Sequence, residues 1–148
     1  KVYHEVRGYQ IKQMESGQDN EVWAFGDEVY KILEKYLKLR VSLKPYIKEQ
    51  MKTAHEKGAP VMRPLMYDFS DDELSWEIED QYMFGPKLMV CPVMEAGARK
   101  RLVYLPVLSS GEKWVELSSK KEYEGGQEVE VDAPLDCMPV FSRGNFSC

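Results

Sequence analysis

Two acidic clusters hold the chain's most reactive side chains: Asp71, Asp72 and Glu73 in the run SDDE, and Glu77, Glu79 and Asp80 in EIED. Paired carboxylates in unlike environments divide general acid and general base work between them. The spacing argues against that use here. Ser70 followed three residues later by Glu73 has capping-box spacing, so the first cluster reads as a helix start. That helix would turn Leu74, Ile78 and Tyr82 inward at steps of four and end at the breaker pair Gly85-Pro86. A helical Glu-Ile-Glu-Asp run also sends the second cluster's carboxylates to different azimuths. His4 and His55 are isolated, and His55 falls near a helix end, where a cation complements the dipole. Cys91, Cys137 and Cys148 are odd in number, without CxxC spacing. They read as buried or terminal thiols of a reducing, cytoplasmic compartment, with a disulfide the minority reading and metal binding behind both. Asp136 follows a turn and reads as solvated. No phosphate-cradling glycine loop, GxSxG or HExxH occurs, and no cofactor is implied. No nucleophile, base and oxyanion site come together.

The elements that would position these groups start with a long amphipathic helix. From Asp27 onward, Val29, Ile32, Leu33, Tyr36, Leu39, Leu43, Tyr46, Ile47, Met51 and Ala54 recur at three- and four-residue steps. Lys31, Lys35, Lys38, Lys44, Lys48 and Lys52 fill the complementary, solvated face. Asp27 is placed to cap the start, and Lys57-Gly58 to close the end. Pro45 removes the amide that would reach back to Val41, which predicts a kink. Residues 59–69 then lose helical spacing and read as a strand buried on both faces. Arg63 within that run needs a buried partner, for which the acids of residues 77–80 are candidates. Upstream, residues 1–9 are β-prone, residues 10–20 form a polar loop, and Trp23 and Phe25 read as apolar anchors. An aromatic sugar platform is the other use of Trp23.

After Gly85 the texture is all-β. Strands are expected over residues 88–93, 102–105, 113–117, 128–131 and 139–142, separated by turn signals. Val115 with Leu117, and Val129 with Val131, alternate with charged neighbours as antiparallel strands with one wet face do. Gly125-Gly126 reads as a hairpin turn. Strands at this spacing suggest a small sandwich.

The 148 residues carry a net charge of −5 with both signs interspersed. No basic stripe argues for nucleic acid, no polybasic patch for a membrane surface, and no apolar run for a membrane span. The start lacks an initiator methionine, which suggests a chain beginning inside a longer polypeptide.

The runs KYLKLR, KPYI, AHEKGAPVMRPLMYDF, WEIEDQYMFG, MVCPVMEAGARKRLVYLP and YEGGQEVEVDAPLDCMPVFSRG occur in collinear order. Together they resemble the carboxy-terminal part of family 31 glycoside hydrolases, the bacterial α-xylosidase and α-glucosidase branch in particular. The resemblance covers nearly the whole chain from Val6. It implies an α/β part followed by an all-β part. Residues 1–84 would be terminal β/α units of a (β/α)₈ catalytic barrel, and residues 85–148 a proximal antiparallel β-sandwich domain. It also implies retaining hydrolysis of α-linked oligosaccharides by two aspartates, their carboxyl groups roughly 5–5.5 Å apart. Both lie in motifs upstream of this chain, so the resemblance implies no catalytic residue here and an isolated chain that is inactive. Arg7 stands where the family's sugar-gripping histidine is expected; arginine donates to hydroxyls but is longer and permanently charged. At the end, Ser142-Arg143-Gly144 departs from the family's Arg-Ala-Gly.

Two functions follow as expectations: the carboxy-terminal part of a retaining α-glycosidase, or a non-catalytic module binding sugar or protein through its β domain. A barrel end without its barrel would expose the edge of the 59–69 strand and the apolar helix face. Exchange of that unit within a homodimer is the expected cover, and a compact helical layer over the β domain the alternative.

Overall fold

A computed structural model describes residues 21–109 and 111–146. A short 3₁₀ turn at Val22–Phe25 leads into helix α1, Asp27–Ser42, and then α2, Lys44–Lys57. The expected single helix is two segments separated by a turn at Leu43, whose amide still donates to Leu39 O at 3.0 Å and whose carbonyl accepts from Ile47 at 2.9 Å. Pro45 sits in the first turn of α2, where its missing amide costs little. Asp27 is not the cap; Gly26 holds that place. Gly58 ends α2 in the left-handed region (φ 68°), as its position predicts. Ile32 and Tyr46 are buried and all six lysines of the opposite face are exposed. Leu39 and Met51, expected inside, are exposed.

The run 59–69 is not one buried strand. Strand β1 covers only Met62–Pro64, with Arg63 buried between two exposed neighbours. Pro64 has no amide to donate, and the chain turns directly into α3, a single turn over Leu65–Asp68. Leu65 and Phe69, four apart, point from that turn into the core. The helix expected from Ser70 is absent too. A 3₁₀ turn occupies Glu73–Trp76, and the chain then extends into β2, Tyr82–Phe84. Leu74 is exposed, so the four-residue spacing of Leu74, Ile78 and Tyr82 does not mark a buried helical face.

The remaining strands are β3 (Leu88–Val90), β4 (Lys100–Leu105), β5 (Trp114–Glu116), β6 (Glu122–Tyr123), β7 (Gln127–Asp132) and β8 (Val140–Arg143). Six form one sheet in the order β1-β2-β3-β8-β5-β6, and β4 pairs with β7 in a second. Every pairing among the described residues is antiparallel. β1, β2 and β3 are hydrogen-bonded neighbours, so one sheet runs across residues 84 and 85. Met83, Met89, Trp114 and Phe141 from the larger sheet meet Val103, Leu105 and Val131 from the smaller one in a single core. That facing arrangement is sandwich-like.

Gly125-Gly126 is not a hairpin turn, because β6 and β7 belong to different sheets. It is a crossing point, and it runs close to the β4 end. A Cβ on Gly125 would strike the carbonyl oxygen of Pro106, and the Gly126 amide donates to Leu105 O at 2.7 Å.

The helices are fastened to the strands by two tyrosines. Tyr36 Oη donates to Asp136 O at 3.1 Å and accepts from the Met138 amide at 3.0 Å. Tyr46 Oη donates to Phe84 O at 2.8 Å and accepts from the Lys87 amide at 3.3 Å. Gly85 is glycine of necessity, since a side chain there would collide with the Tyr46 hydroxyl at φ 62°. Asp136, read as solvated, is half-exposed and pairs with Lys35 at 3.2 Å.

Candidate functional site

A cleft of about 430 Å³ opens where β1 and β2 meet the segment leading out of the Glu73–Trp76 turn. Met62, Pro64 and Met66 form one side, and Trp76, Ile78 and Tyr82 the other. Arg63, Ser75, Glu79 and Gln81 supply its polar groups.

Each polar group has a different state. Arg63 is locked: its Nε and Nη2 meet the two carboxylate oxygens of Asp68 at 2.6 and 2.9 Å, and Nη1 donates to Pro60 O at 3.2 Å. The partner is therefore Asp68, five residues away, and not an acid of residues 77–80. Gln81 is spent on Tyr104, which it holds through both backbone groups. Ser75 is buried, and its hydroxyl has no hydrogen-bond partner among the described residues. Glu79 is exposed. Trp76 is 60% exposed, yet its ring is not loose, because Nε1 donates to Ser70 O at 3.0 Å. Burial raises the Tyr82 phenol above its usual range, with Cys91 adding to the effect.

The acidic clusters do not assemble an acid/base pair. Asp72 accepts from the Tyr104 hydroxyl at 2.7 Å, and Asp80 pairs with Arg101 at 2.9 Å. Burial, then the Asp72 contact, raises the Tyr104 phenol. The Cys91 thiol is pushed up to about 12 by burial, which leaves it without thiolate reactivity. His55 is exposed in the last turn of α2, where the sequence puts it. Trp23 is 66% exposed and does not act as the expected anchor; Phe25 packs against the Ile32 cluster instead. Arg7 and Cys148 lie outside the described residues. Among the described residues no group of acids, histidines or cysteines could hold a metal ion.

The arrangement suits binding rather than bond cleavage: a fixed aromatic face, an unpaired hydroxyl and a carboxylate, with no activated nucleophile. The sequence reading missed Ser75 and Trp76. Their only signal was a Ser-Trp pair in an acidic stretch without a sustained apolar period.

The family model of the glycosyl hydrolase family 31 C-terminal domain matches residues 58–146. Alpha-glucosidase 2 of Bacillus thermoamyloliquefaciens is 35% identical over 123 residues, 83% of this chain and 15% of the relative. The alpha-xylosidase of Saccharolobus solfataricus is 37% identical over 123 residues, again 83% of this chain and 16% of the relative. Among solved structures, a GH31 alpha-xylosidase from a soil metagenome, complexed with xylose, superposes with a TM-score of 0.81 at 49% identity. The match covers 85% of this chain and 18% of that one. The chain thus spans less than a fifth of the length of each of these three relatives. It belongs to glycosyl hydrolase family 31.

Proposed function

We propose that this chain is the carboxy-terminal part of a retaining α-glycosidase that hydrolyses α-xylosidic or α-glucosidic bonds. The observation that carries the reading is the 49% identity to an alpha-xylosidase, held over 85% of the chain together with the fold. In this reading the nucleophilic and acid/base aspartates belong to a barrel supplied by sequence outside this chain. Residues 1–84 are its closing part and residues 85–148 the proximal β domain. Within residues 1–84 the helices α1 and α2 are the barrel's share, while β1 and β2 join the sheet of the following domain and make the seam.

The work of this chain is then positional. Tyr36 and Tyr46 clamp the helical unit to the strands, and a barrel end held rigidly keeps catalytic loops in register with bound sugar. Arg7, at the family's histidine position, donates hydrogen bonds to sugar hydroxyls. The partner is an α-linked oligosaccharide and the setting is cytoplasmic; in the isolated chain, without the rest of the barrel, the apolar helix residues Leu37 and Val41, 49% and 70% exposed, are covered by pairing of two copies. The test is hydrolysis of aryl α-xylosides and α-glucosides by the polypeptide extended through its upstream reading frame, with proton NMR of the first sugar released. Release of the α-anomer supports the reading. A β-anomer, or no hydrolysis of either substrate, rejects it.

A further inference from the structure

The cleft beside Trp76 has no part in the clamp between helices and strands, and its features need an account of their own. An indole 60% exposed gains little from folding, yet here a hydrogen bond to Ser70 O fixes its orientation. A buried hydroxyl without a partner costs free energy, and Ser75 Oγ is one of three such side-chain atoms among the described residues. Both residues line the same cleft, beside the exposed carboxylate of Glu79.

The charge of the lining narrows the ligand. Among the described residues of the lining Arg63 is the one cation, and Asp68 neutralises it through two hydrogen bonds. Glu79 is then left as the net charge, which disfavours phosphate and other anions. A purely apolar ligand would leave Ser75 unsatisfied and bury Glu79 against hydrocarbon. A neutral polyol with one apolar face meets every requirement. Its C–H face lies on the ring of Trp76, one hydroxyl donates to Glu79, and another reaches Ser75, whose Oγ turns about a single side-chain bond. A cleft of about 430 Å³ falls within the size range of small-molecule sites.

We propose that this cleft binds a short neutral saccharide, with Trp76 as the stacking platform and Ser75 and Glu79 as its hydrogen-bonding groups. The choice of an α-linked glucosyl unit rests on the glycosidase reading above; the preference for a neutral polyol rests on the cleft alone.

The test is titration of the 148-residue chain with isomaltotriose and maltotriose, following the indole N–H resonance of Trp76 by NMR. A saturating shift is expected, with a dissociation constant on the order of 1 mM. Trp76→Ala should weaken binding by about tenfold or more, measured on other cleft resonances, and Ser75→Ala by about threefold. Trp76→Phe, which keeps a ring, should retain most of the affinity. A shift that stays linear to about 100 mM, one reproduced by glycerol, or one undiminished in Trp76→Ala overturns the proposal. So does a Trp76 shift that follows protein concentration without sugar, which would seat a second copy in the cleft. No catalysis enters the readout, so hydrolysis by the longer polypeptide without binding here would overturn the cleft site and leave the glycosidase reading standing.

Discussion

Gln81 holds Tyr104 by both of its backbone groups: the side-chain amide donates to Tyr104 O at 2.7 Å, and its oxygen accepts the Tyr104 amide at 2.8 Å. The glutamine precedes β2 of the larger sheet and the tyrosine lies in β4 of the smaller one, so one buried side chain ties the two layers. The Tyr104 hydroxyl returns the contact by donating to Asp72. The segment carrying Trp76 is thereby pinned on both sides.

Gln81→Leu leaves a buried amide and a buried carbonyl unpaired at once. Unfolding in urea should show a loss of about 3 kcal/mol. A loss below about 1 kcal/mol would mean that water replaces the amide and that the bridge is dispensable.

Arg63 and Asp68 form a pair whose side chains are 7% and 14% exposed. Arg63→Met strands the Asp68 carboxylate and should cost on the order of 3 kcal/mol by chemical denaturation. The double change Arg63→Met with Asp68→Leu should regain much of that, because no charge is left behind. Additive losses in the double variant would contradict a direct pair.

Burial raises the Tyr36 and Tyr46 phenols, each partly offset by the amide that donates to it. The folded chain then keeps protons that the unfolded chain releases near pH 10. Their contribution to stability is complete below about pH 10 and is lost as pH rises through the folded values. Cys91, at about 12, acts in the same direction from the ordinary thiol range upward. Tyr46→Phe should cost about 1 kcal/mol at neutral pH and flatten the alkaline decline. Thermal melts across pH 8–11 (roughly the span of Tyr and Cys titration) measure both, and an unchanged alkaline slope would count against a buried phenol.

The two described thiols should separate by access. Cys137 is half-buried and should label in the native chain, whereas Cys91 should label only at the rate of unfolding. Mass spectrometry after timed alkylation distinguishes them, and equal rates would show that the core around Cys91 opens locally.

The legible parts of this fold are those whose signals are local. The helical face around Ile32 and Tyr46, the Gly58 stop and the cores of β4, β5, β7 and β8 follow from periodicity and turn chemistry. The family, too, was readable from collinear motifs. The errors sit where a local breaker or a distant contact overrides periodicity. Proline ended β1 after three residues, and Leu74, Ile78 and Tyr82 imitated a helix while the chain was building β2 and its covering turn. Gly125-Gly126 has the composition of a hairpin, but the long-range pairing of β7 with β4, beside the local pairing of β6 with β5, shows it crossing between sheets. Arg63 was rightly expected to need an acid, and a one-turn helix brought a nearer one. The unpartnered hydroxyl of Ser75 and the fixed ring of Trp76 exist only once the sheets are assembled.

In the glycosidase proposal, bond cleavage belongs to sequence outside this chain. The most direct test is an assay of the purified 148-residue chain against aryl α-xylosides and α-glucosides, beside the longer polypeptide containing its upstream reading frame. Turnover is expected from the longer polypeptide and none from the isolated chain, in which no nucleophile and acid are placed to act together among the described residues. Turnover by the isolated chain that survives repurification, and disappears when one of its own carboxylates is replaced, would contradict it.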